Sequence, residues 1–449
     1  MLTWIAGLLA LFQGSAQAAD STVPANGRKT EYRDPIHFKP SLPTKKTVGD
    51  VMPFYWKGAY HVFYLTNPLG NQDVNWEHCS TTDLVNWKEY PPALKPDKGD
   101  PTGPEGGCMF TGCIVEKGGI FHAWYTSWNP ENPAGREFLS LATSKDLITW
   151  EKRPEHRIAP DGVHYANHRM RDFRDPQIFW NDDQKEYWMH LLANVPGSEE
   201  RRFGLMTSKD LIKWQQKPAV IGGGDECPDY FKIGDTHYIH GCREYWYSDN
   251  INGPYRYPAL TREMDLPCVF AAKRVWDGRR HVWFGGWQTG GVMAMPREVY
   301  AGPAGLLYMK PSEEILALYK HTTLKLADKP VKETVFEVPE HYMLDCLVKF
   351  EPGSALALVI GGHYRLHIDP KQGNLSLKGP GIDRNRPCPV DTAKPVKIQV
   401  FAEGNLIECF INDQFAQTCV ATSPKTGQLA INAEGAGVEI IRMLVKTPQ

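Results

Sequence analysis

Three acidic residues, Asp50, Asp175 and Glu226, are each expected to open the first strand of a repeated strand–turn–strand unit. Cleavage of a glycosidic bond needs one carboxylic acid that protonates the leaving oxygen and a second carboxylate that attacks the anomeric carbon or activates water. A further carboxylate can hold sugar hydroxyls and balance the positive charge that builds up on the ring. Three acids brought together could perform this chemistry. The alternative interpretation is that they only bind turns at the ends of strands.

The neighbours of two of these acids suggest how each one titrates. Arg174 precedes Asp175, and a nearby positive charge favours an ionised carboxylate. We therefore expect Asp175 to stay ionised. Glu226 is flanked by Asp225 and Asp229, and like charges raise the pKa of a carboxyl group, as a general acid requires.

The segment between residues 50 and 290 contains five copies of the unit that must position these acids. Each copy joins a first strand to an aromatic-rich strand through a turn that contains Gly or Asp. The expected first strands span residues 50–56, 108–116, 175–180, 226–233 and 268–276. Five such meanders predict a five-bladed β-propeller. Because equivalent strands of a propeller start around one central funnel, the three acids should converge there.

The expected fold class is all-β, with a five-bladed β-propeller over residues 35–320 followed by a C-terminal β-sandwich over residues 329–447. Short runs of alternating apolar and polar residues, separated by turn signals, predict the sandwich. A short helix is expected at residues 312–320, between the two parts. Residues 2–12 form an apolar run, and residues 1–18 end in Ala-Gln-Ala, which is typical of a signal peptide. We therefore expect a secreted or periplasmic protein.

Composition narrows the class of ligand. The 449 residues carry a formal net charge of −2, which favours neither nucleic acid nor a membrane surface. An oligo- or polysaccharide suits such a chain better. No cysteine or histidine spacing typical of a metal site occurs, so we expect no metal and no cofactor. The sequence does not decide the oligomeric state.

Six segments, in the same order, resemble the motifs of glycoside hydrolase family 32, the invertase, inulinase and levanase family. They are residues 60–68, 76–87, 110–113, 174–176, 226–229 and 295–298. Members of this family join a five-bladed propeller to a β-sandwich. The resemblance implies an enzyme that cleaves β-fructofuranosidic bonds in sucrose, fructo-oligosaccharides or fructan with retention of anomeric configuration.

The same resemblance implies a role for individual residues. Asp50 would be the nucleophile, Glu226 the general acid/base and Asp175 the stabiliser of the transition state. The implied substrate-binding residues are Trp76, Phe110, Thr111 and Arg174. For Trp76 and Phe110 the alternative is a purely structural role between blades.

The chain also departs from the family pattern around these residues. The nucleophile segment reads Gly-Asp-Val-Met-Pro, without the flanking Asn residues of the family, and Leu65 stands where a Gln is usual. Asp225 stands where a Trp usually precedes the catalytic Glu. This resembles a divergent subgroup with a Gly-Asp-x-Met-Pro-Phe segment. The alternatives are an inverting pentosidase of the arabinan or xylan type from a related five-bladed family, and a non-catalytic carbohydrate-binding propeller.

Overall fold

The computed structural model describes residues 34–41, 47–66, 74–222, 224–265, 267–286, 291–423 and 425–448. The chain from Pro35 to Gln449 forms one compact unit. The expected signal peptide, residues 1–18, lies outside the described residues. Within the described ranges, we find no helix with the length and apolar character needed to cross a bilayer.

Five antiparallel sheets follow one another along the first part of the unit, and in each sheet the strands are ordered as in the sequence. Blade 1 contains β1 Val48–Trp56, β2 Ala59–Thr66, β3 Trp76–Thr81 and β4 Lys88–Leu94. Blade 2 contains β5 Cys108–Lys117, β6 Ile120–Trp128, β7 Glu137–Ser144 and β8 Glu151–Lys152. Blade 3 contains β9 Phe173–Asn181, β10 Glu186–Asn194, β11 Arg201–Ser208 and β12 Gln215–Gly222.

The last two blades complete the series. Blade 4 contains β13 Asp229–Ile233, β14 Thr236–His240 and β15 Tyr245–Ser248. An isolated antiparallel bridge between Tyr247 and Arg256 lies beside β15, where the other blades have a fourth strand. Blade 5 contains β16 Lys273–Trp276, β17 His281–Phe284, β18 Arg297–Ala301 and β19 Leu307–Pro311.

The first strands of the blades contact one another around a ring. β1 contacts β5, β5 contacts β9, and β9 contacts β13. The backbone N–H of Arg274 in β16 donates to the Asp229 carboxylate in β13 at 2.8 Å, and β16 contacts β1. The first part of the chain is therefore a five-bladed β-propeller, as the sequence repeat predicted.

Repeated turns fix the outer edges of three blades. In blade 2, Asp146 accepts the backbone N–H groups of Ile148 and Thr149 at 2.9 and 2.7 Å. Leu147 adopts a left-handed conformation within this turn, with φ of 66°, and is buried. Asp83 and Asp210 cap equivalent turns. Because these carboxylates accept hydrogen bonds from backbone N–H groups of their own turns, their role is structural.

Two of the expected first strands begin later than the sequence suggested. β13 starts at Asp229 rather than at Glu226, and β16 starts at Lys273 rather than at residue 268. Cys227 and Ala271 have φ of 55° and 50°, which an extended strand does not allow. Pro228 also lacks the N–H that a strand ladder needs. Glu226 therefore lies in a bend before the strand.

A single helical turn, α1 Glu313–Leu316, connects the propeller to the second part and is shorter than expected. One six-stranded sheet contains β20 Tyr319–Val331, β22 Tyr342–Phe350, β27 Val396–Glu403, β28 Leu406–Ile411, β29 Phe415–Val420 and β31 Val438–Pro448. The other contains β21 Glu333–Glu337, β23 Ala355–Ile360, β24 Tyr364–Asp369, β25 Asn374–Gly379, β26 Ile382–Pro387 and β30 Gln428–Glu434. Apolar side chains of both sheets form one core, so this part is the predicted β-sandwich.

A buried charge network joins the sandwich to blade 5. Arg297 in β18 donates to Glu408 in β28 and to the Thr418 hydroxyl in β29, both at 2.6 Å. It also donates to Asp265. The Arg297, Asp265 and Glu408 side chains are fully inaccessible to solvent, and His37, near the start of the described chain, lies 2.8 Å from Glu408. Removal of the sandwich would take the Glu408 carboxylate and the Thr418 hydroxyl away from buried Arg297.

Candidate active site

β-Bulges or register irregularities in three inner strands place the candidate side chains. The pairing of β1 with β2 shifts between Val48 and Val51, around Asp50. The pairing of β5 with β6 shifts between Phe110 and Gly112, around Thr111. The pairing of β9 with β10 shifts next to Asp175, which has φ of 62°. Because an extra residue bends a strand and redirects its side chains, these irregularities aim residues of neighbouring strands at one another.

Asp50 is held by two donors from other blades. The Thr111 hydroxyl donates to Asp50 Oδ2 at 2.5 Å, and the Cys227 Sγ lies 3.4 Å from the same oxygen. Thr111 is only 1% exposed, whereas Asp50 is half-buried. Thr111 therefore orients the Asp50 carboxylate from the protein side, and Asp50 keeps an accessible face.

Asp175 shares the Cys227 contact. The Cys227 backbone N–H donates to Asp175 Oδ2 at 3.0 Å, and its Sγ lies 3.7 Å away. The left-handed conformation of Cys227, with φ of 55°, lets one residue present its N–H and its thiol to two acids. The Thr126 hydroxyl accepts the Asp175 backbone N–H at 2.8 Å. Asp50, Cys227 and Asp175 thus form one contact cluster.

Burial determines the titration of Asp175. The side chain is buried, and burial, with Glu226 and Asp50 nearby, raises its pKa to about 7 despite the opposing charge of Arg174. The Arg174 Nε stands 3.8 Å from the carboxylate, too far for a hydrogen bond. The expectation that Arg174 keeps Asp175 ionised is therefore wrong.

Glu226 shows the opposite behaviour. Burial raises its pKa, but the guanidinium groups of Arg174, Arg201 and Arg243 outweigh burial, and the net result is a lowered pKa. Arg174 Nη2 donates to Glu226 Oε1 at 2.7 Å. The expectation of a raised pKa is wrong because the flanking acids have partners of their own. Asp225 pairs with Arg243 at 2.6 Å, and Asp229 accepts the Arg274 backbone N–H.

Arg174 is fixed by two further acids that the sequence did not single out. Its Nη1 donates to Asp172 at 2.5 Å and to Glu137 at 3.0 Å. Glu137, from β7, also accepts the Phe173 backbone N–H at 2.7 Å. These contacts orient the guanidinium so that it lies between Asp175 and Glu226. Asp172 is two residues from Arg174, but no local signal marked Glu137.

The remaining candidates take different positions. Trp76 is fully buried and its indole N–H donates to the Phe110 carbonyl at 2.9 Å. The Trp76 ring therefore offers no exposed surface to a substrate, and its burial favours a purely structural role between blades. Phe110 is partly exposed and stacks on Trp128 with centroids 5.3 Å apart. Thr111 is buried and donates its hydrogen bond to Asp50 from the protein side. Of the four residues expected to bind substrate, Phe110 and Arg174 keep solvent access.

The arrangement brings the three predicted acids together. Cys227 links Asp50 to Asp175, and Arg174 links Asp175 to Glu226. Among the described residues, no group of three or more His, Cys, Asp or Glu side chains is placed to hold a metal ion. The three acids differ in their surroundings: the pKa of Asp175 is raised, the pKa of Glu226 is lowered, and Asp50 is held by the Thr111 hydroxyl. Such differences allow distinct roles in acid/base and nucleophilic chemistry.

Comparisons of the sequence point to one enzyme family. A sequence model described as “Glycosyl hydrolases family 32 N-terminal domain” matches residues 43–257. The Escherichia coli sucrose-6-phosphate hydrolase is 26% identical over 445 residues, covering 86% of this chain and 89% of that protein. The Bacillus subtilis levanase is 31% identical over 242 residues, 50% of this chain and 32% of that protein. The chain therefore spans about a third of the levanase length.

Solved structures share the fold. The exo-inulinase from Aspergillus awamori has a TM-score of 0.75 at 19% identity, covering 94% of this chain and 99% of that chain. The sucrose-6-phosphate hydrolase from Lactobacillus gasseri has a TM-score of 0.74 at 19% identity, with 94% of both chains covered. At this identity, the likeness establishes the propeller-plus-sandwich architecture.

Proposed function

Because the chain belongs to glycoside hydrolase family 32, we propose that this glycoside hydrolase cleaves β-fructofuranosidic bonds with retention of configuration. Sucrose, fructo-oligosaccharides and fructan are the proposed substrates. The observation that supports this proposal is the contact cluster of Asp50, Asp175 and Glu226 through Cys227 and Arg174. We also propose export, on the pattern of residues 1–18.

The first step of the proposed mechanism is attack by Asp50 on the anomeric carbon. A bond forms between a carboxylate oxygen and that carbon while the bond to the leaving oxygen breaks, and Glu226 gives its proton to the leaving oxygen. Thr111 orients the attacking carboxylate through its 2.5 Å hydrogen bond. Water then attacks the fructosyl-enzyme, Glu226 takes the proton of that water, and Asp50 departs.

Asp175 and Cys227 support the charge that develops during both steps. Asp175, buried beside the other two acids, is placed to hold sugar hydroxyls and to stabilise positive charge on the ring when it is ionised. A hydrogen bond with Cys242, burial and the nearby Asp175 and Asp50 carboxylates raise the pKa of Cys227 well above its usual value. The Cys227 thiol therefore stays protonated and serves as a weak donor.

The test is to incubate the purified protein with sucrose, short fructo-oligosaccharides, levan and inulin, alongside arabino- and xylo-oligosaccharides. We expect release of free fructose, lost in Asp50→Asn and kept in Asp235→Asn, an exposed control on a turn of blade 4. With methanol as acceptor, a retaining enzyme forms the methyl β-fructofuranoside. Release of a pentose with inversion would replace the proposal by the pentosidase alternative, and binding without turnover by the non-catalytic one.

A further inference from the structure

A cavity lies toward the ends of the inner strands, whereas the three acids lie at or before their beginnings. Its volume is about 390 Å³, within the range of about 300–1,000 Å³ that small-molecule sites span. Phe179, near the end of β9, is four residues beyond Asp175, or about 13 Å along the strand. Side chains of blades 3, 4 and 5 line the cavity: Phe179, Tyr230, Phe231, Ile233, Trp276 and His281. The cavity is therefore separate from the candidate active site.

Aromatic rings form much of this wall. Phe179 of blade 3 stacks on Tyr230 of blade 4, with ring centroids 3.8 Å apart. Trp276, the last residue of β16, lies with its ring centroid 4.8 Å from that of His281. Trp276 is 48% exposed, although a large aromatic ring gains much from burial. Part of the Trp276 ring is thus open to a ligand in the cavity.

The charges in the wall favour a neutral ligand. Arg274 pairs with Asp229 at 3.6 Å, and Lys232 pairs with Asp235 at 3.8 Å, so both cations have a carboxylate beside them. Burial lowers the pKa of His281 to about 4, and its imidazole is therefore uncharged at neutral pH. An ionic ligand would gain little from charges that are already balanced.

The same wall contains polar groups that can still form hydrogen bonds. The Lys232 ammonium is 49% exposed, and its distance from Asp235 exceeds hydrogen-bond length. Within the described ranges, Arg274 Nε and His281 Nδ1 also lack a hydrogen-bond partner. Hydroxyl groups of a ligand can pair with such groups, whereas a hydrocarbon would leave them unpaired at a cost in free energy.

We propose that this cavity binds a neutral carbohydrate chain, with Trp276 as its aromatic platform and Lys232 as a hydrogen-bond donor. A sugar ring presents an apolar C–H face to an aromatic ring and hydroxyl groups around its edge, which matches both parts of the wall. Because the cavity is separate from the three acids, carbohydrate binding there does not depend on the proposed function. On a polysaccharide substrate, which does rest on the proposed function, a second site would raise the local concentration of chain near the acids.

The test is affinity electrophoresis in gels that contain inulin, levan, xylan or amylopectin. We expect at least one polysaccharide to retard the wild-type protein, and Trp276→Ala to raise the dissociation constant about tenfold or more, as for truncation of an aromatic anchor. Trp276→Phe keeps an aromatic ring and should retain most of the binding. Trp180→Ala is the matched control, since Trp180 is 44% exposed near the end of β9 but packs on Tyr187.

Fructose release from sucrose separates this cavity from the active site. Wild type and Trp276→Ala should have the same kcat and KM for sucrose, because Trp276 is remote from the acids. Equal retardation of wild type and Trp276→Ala, or no retardation of wild type in any gel, would overturn the inference. A dimer that Trp276→Ala converts to a monomer, without carbohydrate binding, would overturn it in favour of a second copy of the chain. Absence of fructose release by wild type would refute the proposed function and leave the binding result standing.

Discussion

The buried carboxyl group of Asp175 should make the fold less stable as the pH rises. Burial, with Glu226 and Asp50 nearby, raises its pKa to about 7, whereas an Asp in an unfolded chain has a pKa of about 3.9. Because the folded pKa is the higher one, the stabilising contribution is fully present below about pH 4 and is lost as the pH rises through about 7. Asp175→Asn has no proton to lose and should escape this decline.

The magnitude follows from the pKa difference. One pKa unit corresponds to about 1.36 kcal/mol, so a difference of about three units corresponds to about 4 kcal/mol. Asp175 is only 3% exposed, so solvent screening reduces this value little. Relative to wild type, Asp175→Asn should therefore gain stability from about pH 4 upward, reaching about 1.5 kcal/mol at pH 5 and about 4 kcal/mol at pH 8, while losing activity.

The measurement is urea unfolding, followed by tryptophan fluorescence, at several pH values between 5 and 8. The free energy of unfolding of Asp175→Asn minus that of wild type should rise by about 2.5 kcal/mol between pH 5 and 8, most of it below pH 7. Asp235→Asn, which removes an exposed carboxylate, should follow the wild-type curve. A constant difference between Asp175→Asn and wild type across this range would refute the reasoning, because Asp175 would then titrate alike in the folded and unfolded chains.

Two further substitutions test the supports of the site. Glu408→Gln should lower the free energy of unfolding by about 3 kcal/mol, since fully buried Arg297 loses a charged partner. The control is Glu434→Gln, which removes one member of an exposed ion pair and should lower the free energy of unfolding by less than about 1 kcal/mol in a urea titration. Equal losses in the two variants would contradict a stabilising role for the buried pair between blade 5 and the sandwich. Thr111→Val removes the donor to Asp50 and should lower kcat about tenfold. An unchanged kcat, with the fold intact, would show that Asp50 needs no such orientation.

The propeller and the convergence of three acids were predictable because both follow from local periodicity. The strand–turn–strand repeat sets the blades, and the start of each first strand sets where Asp50 and Asp175 lie. The capped turns around Asp83, Asp146 and Asp210 are local in the same sense, since each carboxylate binds backbone donors within three residues. Features that depend on short stretches of sequence could therefore be predicted.

The titration of the acids was not predictable, because it depends on groups far away in the sequence. Arg201 approaches Glu226 from blade 3 and Arg243 from the connection between β14 and β15, and adjacent Asp225 pairs with Arg243. Sequence neighbours therefore gave the wrong sign for the pKa shift. The expectation that Trp76 binds substrate had a related weakness, because a motif match does not reveal that the Trp76 side chain is fully buried.

The contacts of Asp50 and Glu226 differ in a way that suits their proposed roles. Thr111 and Cys227 hold Asp50 through a hydroxyl and a protonated thiol, which orient a carboxylate and leave its negative charge available for attack. Glu226 is instead surrounded by the guanidinium groups of three arginines, which lower the pKa of its carboxyl group. An acid/base must gain and lose a proton in each cycle. The three arginines favour the ionised form of Glu226, which is the form that takes the proton of water in the second step of the proposed mechanism.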